Sequence, residues 1–166
     1  MNPLAPLTSS LANPAPVYVL VGSELLLVRQ AEDALREAVA SGPTAAFNHA
    51  VFTAGEDGAL NFRDVASTAP MMAARRLVVI RQVQDANAAL LESILTYVQS
   101  PCPTTVLALV GEKMPAASGG VDRGVRIVNA VKKTGIVLKL DGEGVDPAAF
   151  ALARAKERGA RIDRDA

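Results

Sequence analysis

Residues 17–29, VYVLVGSELLLVR, constrain the fold more than any other stretch of this chain. The apolar, β-favouring run Val17–Val21 reads as a strand buried on both faces; it stops at Gly22 and passes at once into helical spacing. A strand that turns through glycine into a helix is the framework of a phosphate-binding loop. A working loop carries GxxxxGK[ST]: glycines let the backbone wrap the phosphates, Lys reaches the β/γ oxygens and Ser/Thr binds magnesium. Here Gly22, Ser23 and Glu24 are followed by three leucines, with no second glycine and no Lys. A carboxylate stands where an anion would bind. The expectation is a nucleotide-binding scaffold with a degenerate phosphate loop, no cofactor and no metal.

Strand and helix signals alternate from there. Leu27/Val28, Ala31, Leu35 and Ala38/Val39 form one stripe of a helix over 25–40, ended by Gly42-Pro43. A short strand is expected over 46–53. A short helix follows over 61–68, with Asn61 as its cap and Phe62, Val65 and Ala66 inward. The remaining expectations are a strand over 77–80, a helix over 88–99, an almost wholly apolar strand over 104–110, a helix over 122–134 closed by Gly135, and a strand over 136–140. This alternation implies an open α/β sheet of about five parallel strands with helices on both faces, occupying 17–142. Past 142, Asp146-Pro147 opens a helical pattern that Gly159 stops. One amphipathic helix cannot bury itself, so 143–166 reads as the start of a small helical second domain, and the chain as a fragment or truncated reading frame.

Bulk properties narrow the function classes. The 166 residues are half hydrophobic, mostly small side chains, with only 4% aromatic. Seventeen basic and 17 acidic residues cancel, which argues against a nucleic-acid module that needs a basic groove and stacking platforms. One cysteine, Cys102, excludes an internal disulfide; between Pro101 and Pro103 it reads as a small buried hydrophobe. The first sixteen residues hold four prolines and no Lys or Arg, the composition of a disordered arm rather than a secretory signal. No apolar run approaches the roughly 20 residues of a membrane span. A cytoplasmic location without membrane contact is expected.

Four blocks, in order, carry a resemblance: VYVLVGSE at 17–24; STAPMMAARRLVVIR at 67–81, with a proline, two bulky apolar residues, a basic pair and a strand; SPCPTTVLAL at 100–109, with EKM at 112–114; and the helix and glycine turn over 150–162. Together they resemble the delta subunit of the bacterial DNA polymerase III clamp loader over about 17–166. The resemblance implies an AAA+-type fold that lacks a working ATP site. It also implies a protein of DNA replication that binds the ring-shaped sliding clamp and helps open it for loading onto primed DNA. Catalysis would belong to other subunits of the polymerase holoenzyme. The other loader subunits, and DNA in the assembled complex, are the further partners implied.

The residues support an idle ATP site on their own account. A hydrolysing relative would place acids at the end of the strand 77–80 to hold magnesium and polarise water. This chain has Arg81 and Gln82 there, and Gly111 where the strand 104–110 would present a polar sensor. The alternative is a small nucleotide-dependent enzyme with an atypical phosphate loop.

For clamp binding the resemblance points to Pro70, Met71 and Met72, with Arg75 and Arg76 beside them. In the family the two bulky positions project from a helix end into an apolar pocket of the clamp. Methionine is flexible and polarizable and suits irregular apolar pockets, although the family more often has leucine followed by an aromatic. The competing reading packs both methionines under the next strand. An adjacent pair on a helix cannot both face one core stripe, which favours exposure of at least one. Arg75 and Arg76 could steer an acidic surface, or form a solvated pair before a strand. Lys132 and Lys133 complement a helix dipole. His49, without a second His, is structural.

Overall fold

The computed structural model describes residues 2–142; the helix expected beyond them and the resemblance over 150–162 lie outside. In chain order the elements are α1 (Ala5–Ser10), β1 (Val17–Val21), α2 (Leu25–Val39), β2 (His49–Thr53), α3 (Phe62–Ala66), β3 (Arg76–Arg81), α4 (Ala88–Gln99), β4 (Thr105–Gly111), α5 (Arg123–Thr134) and β5 (Ile136–Lys139). All five strands run parallel in one sheet of order β2-β3-β4-β1-β5. The expected α/β architecture is present. No helix among the described residues is long and apolar enough to cross a membrane.

Alternation along the strands feeds two cores. Val19 pairs with Leu109 and Val137, and Val79 with Val51 and Ala108, so neighbouring strands point like side chains the same way. Val17, Val19, Val78, Ile80, Leu107 and Leu109 pack with Phe62, Ile94, Ile127 and Val131 under α3, α4 and α5. Tyr18, Leu20, Leu77, Val79 and Val106 pack with Leu7, Leu27, Ala31 and Leu35 under α1 and α2. Both faces of β1 are covered, which explains its unbroken apolar run. Side chains cap the long helices: Asn87 Oδ1 accepts from Leu90 N at 2.9 Å, and Asp122 Oδ1 from Val125 N at 2.9 Å.

Three local expectations are corrected. The supposed disordered arm contains α1, whose Leu7 is fully buried. The Tyr18 hydroxyl ties the arm down, 2.7 Å from Ser10 Oγ and accepting from Ala15 N at 2.9 Å. A single turn has no periodic signal, and docking rather than propensity holds it. The strand expected over 46–53 starts at His49, behind a 3-10 turn at Ala45–Phe47. Asn61 does not cap α3: its backbone is already helical and its side chain makes no capping bond, because the 3-10 turn Ala59–Asn61 runs straight into the helix.

Candidate functional site

The segment between α3 and β3 is a loop, where Met71 and Met72 were expected at a helix end. The helix stops at Ala66, whose carbonyl accepts from the buried Thr105 hydroxyl at 2.6 Å. The loop is pinned again at its middle. Asn48, only 1% exposed, donates from Nδ2 to the Met71 carbonyl at 2.7 Å, and its Oδ1 accepts from Met71 N at 2.7 Å. The same Nδ2 donates to the Thr44 carbonyl at 3.2 Å. A buried amide is costly unless its donors and acceptor are matched, and here they are.

Arg75 and Arg76 are not a solvated pair. Arg75 donates to the Pro14 carbonyl at 3.0 Å and to Asn13 Oδ1 at 3.2 Å. Arg76 Nη2 donates to the Ala69 carbonyl at 3.2 Å, and its main-chain N to the Thr104 carbonyl at 2.9 Å. Arg76 Nε is buried with no partner among the described residues. Both guanidinium groups thus hold the loop and the N-terminal segment in place. Pro70 is half-buried, while Met71 and Met72 are 52% and 87% exposed. Neither methionine packs under β3, because the fixed loop backbone turns them outward. Met72 has φ +52°, a left-handed conformation unusual for a side chain of its kind.

At the turn from β1 into α2, where a degenerate phosphate loop was expected, the chain satisfies its own donors. Gly22 N donates to the Gly111 carbonyl at 3.2 Å, and Glu24 N to the Leu140 carbonyl at 3.1 Å. Asp141 Oδ1 accepts from Ser23 N at 3.1 Å and from Ser23 Oγ at 3.3 Å. Glu24 Oε1 accepts from Leu26 N at 3.4 Å, a long capping bond at the start of α2. A side chain at Gly22 would overlap the Leu140 main chain. The place where a helix N-terminus attracts phosphate is therefore lined by two of the protein's own carboxylates.

At the end of β3 stand Arg81 and Gln82, the positions at which acids were expected in a hydrolysing relative. Arg81 donates from Nε at 2.9 Å and Nη2 at 2.5 Å to Glu32 Oε1 on α2. Glu32 is buried. Gln82 takes φ +55°, and Gln84 Oε1 accepts from Glu112 N at 3.1 Å. These groups border a cleft of about 500 Å³ lined by Leu25, Arg29, Glu32, Arg81, Gln82 and Gly111 among others. His49, on β2, leaves Nε2 buried without a partner among the described residues. Burial, more than the nearby Arg36 and Arg81, holds its imidazole below the ordinary histidine value, against an opposing pull from Glu32.

The structure brings together Pro70, Met71, Arg75 and Arg76 around one loop, and Gly22, Ser23 and Glu24 at one turn remote in sequence from it. Sequence reasoning missed Asn48 and Glu32. Both are polar residues that only tertiary partners make informative, although an Asn directly before an apolar strand was a faint signal.

A family model described as "DNA polymerase III, delta subunit" matches residues 18–140. A Bacillus subtilis (strain 168) protein, DNA polymerase III subunit delta, is 30% identical over 135 residues, which is 75% of this chain and 37% of that protein. The solved Bacillus subtilis DNA clamp loader delta protein (YqeN) superimposes with a TM-score of 0.69 at 25% identity, over 92% of this chain and 47% of that one. A DNA polymerase III gamma subunit-related protein from Thermotoga maritima shares the fold, with a TM-score of 0.58 at 15% identity over 92% of this chain and 49% of its own. The chain thus spans less than half the length of these relatives. The family match spans nearly the whole described five-stranded sheet, and the chain belongs to the DNA polymerase III delta-subunit family.

Proposed function

We propose that this chain binds the ring-shaped sliding clamp through Met71 and Met72 and helps open it for loading onto primed DNA. The observation that carries the reading is the pairing of two exposed methionines with a backbone fixed by Asn48, Arg75 and Arg76. Large apolar side chains held outward on a braced loop gain by entering a pocket, roughly 1.5–3 kcal/mol each when fully buried. Binding favours an open clamp only if the wedge fits that state better than the closed one. Pro70 shapes the approach, and the two arginines position the loop rather than steer the partner.

The chain itself does not hydrolyse ATP in this reading. Support comes from the donors of Ser23 and Glu24, taken up by Asp141 and Leu140, and from Arg81 and Gln82 where acids are needed. The same geometry weighs against a nucleotide-dependent enzyme. The protein would act in the cytoplasm within the polymerase holoenzyme, meeting the other loader subunits and DNA in the assembled complex.

The test is binding of the purified chain to the immobilised sliding clamp of its own source, beside the Met71→Ala/Met72→Ala variant. Saturable binding lost in an equally stable variant is expected. Equal binding by both proteins would sink the assignment of the methionines, and no binding by the folded wild type would sink the function.

A further inference from the structure

Met71 is held by one side chain alone at both of its main-chain groups. Asn48 Nδ2 and Oδ1 each lie 2.7 Å from the Met71 carbonyl oxygen and nitrogen, so the amide acts as a neighbouring strand would. The third bond, to the Thr44 carbonyl at 3.2 Å, and the Asn48 carbonyl accepting from Leu77 N at 2.8 Å, anchor the clasp to the sheet edge. The segment so fixed is otherwise exposed from Met71 to Ala74, and Met72 keeps a left-handed backbone without being glycine. Such a conformation persists where its surroundings over-determine it.

We propose that Asn48 is a positioning residue for partner binding: it presets the shape in which Met71 and Met72 meet the clamp, so that the loop pays little ordering entropy on association. This rests on the clamp-binding reading above. Asn48 itself is buried and does not touch the partner; it acts through the Met71 peptide groups.

The experiment measures clamp affinity for the full chain, for Asn48→Ala, Asn48→Ser and Met71→Ala/Met72→Ala, and for Ile127→Val. The last is a core substitution on the buried face of α5 that lowers stability away from the loop. Amide hydrogen exchange at Met71 and thermal stability are followed in each. Asn48→Ala is expected to weaken binding about tenfold, in line with the loss of more than one buried hydrogen bond. Met71 exchange should accelerate in the same protein. Asn48→Ser keeps a small hydroxyl that can bond one of the Met71 groups directly or through water, and should lie between it and wild type; it carries the test if Asn48→Ala does not fold. Ile127→Val should bind within about twofold of wild type.

The proposal is overturned if the Asn48 variant binds within about twofold of wild type while the methionine variant does not bind. It is also overturned if its loss matches that of Ile127→Val at equal stability. If the methionine variant itself binds normally, the clamp-binding reading fails and the proposal falls with it.

Discussion

Asp141 and Ser23 are joined twice, with Asp141 Oδ1 accepting from the Ser23 main-chain N at 3.1 Å and from its hydroxyl at 3.3 Å. A carboxylate from the end of the sheet thus sits at the turn into α2, where an incoming phosphate would meet both it and Glu24. ATP with magnesium is expected to leave the melting temperature unchanged and to give no binding heat in a calorimeter. Micromolar affinity would return the nucleotide-dependent alternative to the front.

Gly22 is required for a different reason. Any Cβ at that position collides with the Leu140 main chain, which is itself held by the bond from Leu140 N to the Val21 carbonyl at 2.7 Å. Gly22→Ala is expected to cost about 2–3 kcal/mol, because backbone on both sides has to move. Urea unfolding measures it, and a cost below about 0.5 kcal/mol would contradict the packing.

Met72 offers a separation of stability from binding. Its φ of +52° suits glycine, and its side chain is 87% exposed. Met72→Gly is expected to leave stability unchanged or raise it by up to about 1 kcal/mol, while clamp affinity falls. Denaturation and binding measured on the same preparation would show the two quantities moving apart. A large loss of stability would mean that the thioether packs inside.

The Arg81–Glu32 pair is lopsided, with the Arg81 side chain 50% exposed and that of Glu32 only 10%. Removing the arginine strands a mostly buried carboxylate, and removing the carboxylate frees an arginine that water can reach. Arg81→Ala is expected to cost about 1–2 kcal/mol and Glu32→Gln less, the exposure of Arg81 keeping both modest. Chemical denaturation of the two variants gives the order, and a reversed order would refute the asymmetry.

His49 links this cluster to pH. Burial first, then Arg36 and Arg81, hold its folded value below the ordinary value of about 6.5, with Glu32 opposing. The unfolded chain therefore takes up the proton at higher pH than the folded one. This contribution to stability is complete above about pH 6.5 and is lost as acid moves toward the depressed folded value. His49→Gln is expected to flatten the fall in melting temperature between about pH 7.5 and 5.5. An unchanged slope would place the acid sensitivity elsewhere.

The sheet and its helices were legible in the chain because their signals are local. The unbroken apolar run of β1, the stripe on α2 and the glycine that closes α5 state their structure within a few residues. The missing phosphate chemistry could also be read directly, since a lysine or glycine is either in the sequence or not. Tertiary structure alone decided what the polar side chains do. Asn48 meets Met71 across 23 positions, Glu32 meets Arg81 across 49, Arg75 meets Pro14 across 61 and Ser23 meets Asp141 across 118. Docking likewise turned a proline-rich arm into α1 and a supposed helix end into a braced loop. Apolar patterning repeats with the backbone period and so announces itself in sequence. A hydrogen bond between distant residues has no period, and its meaning exists only once the sheet has brought its partners together.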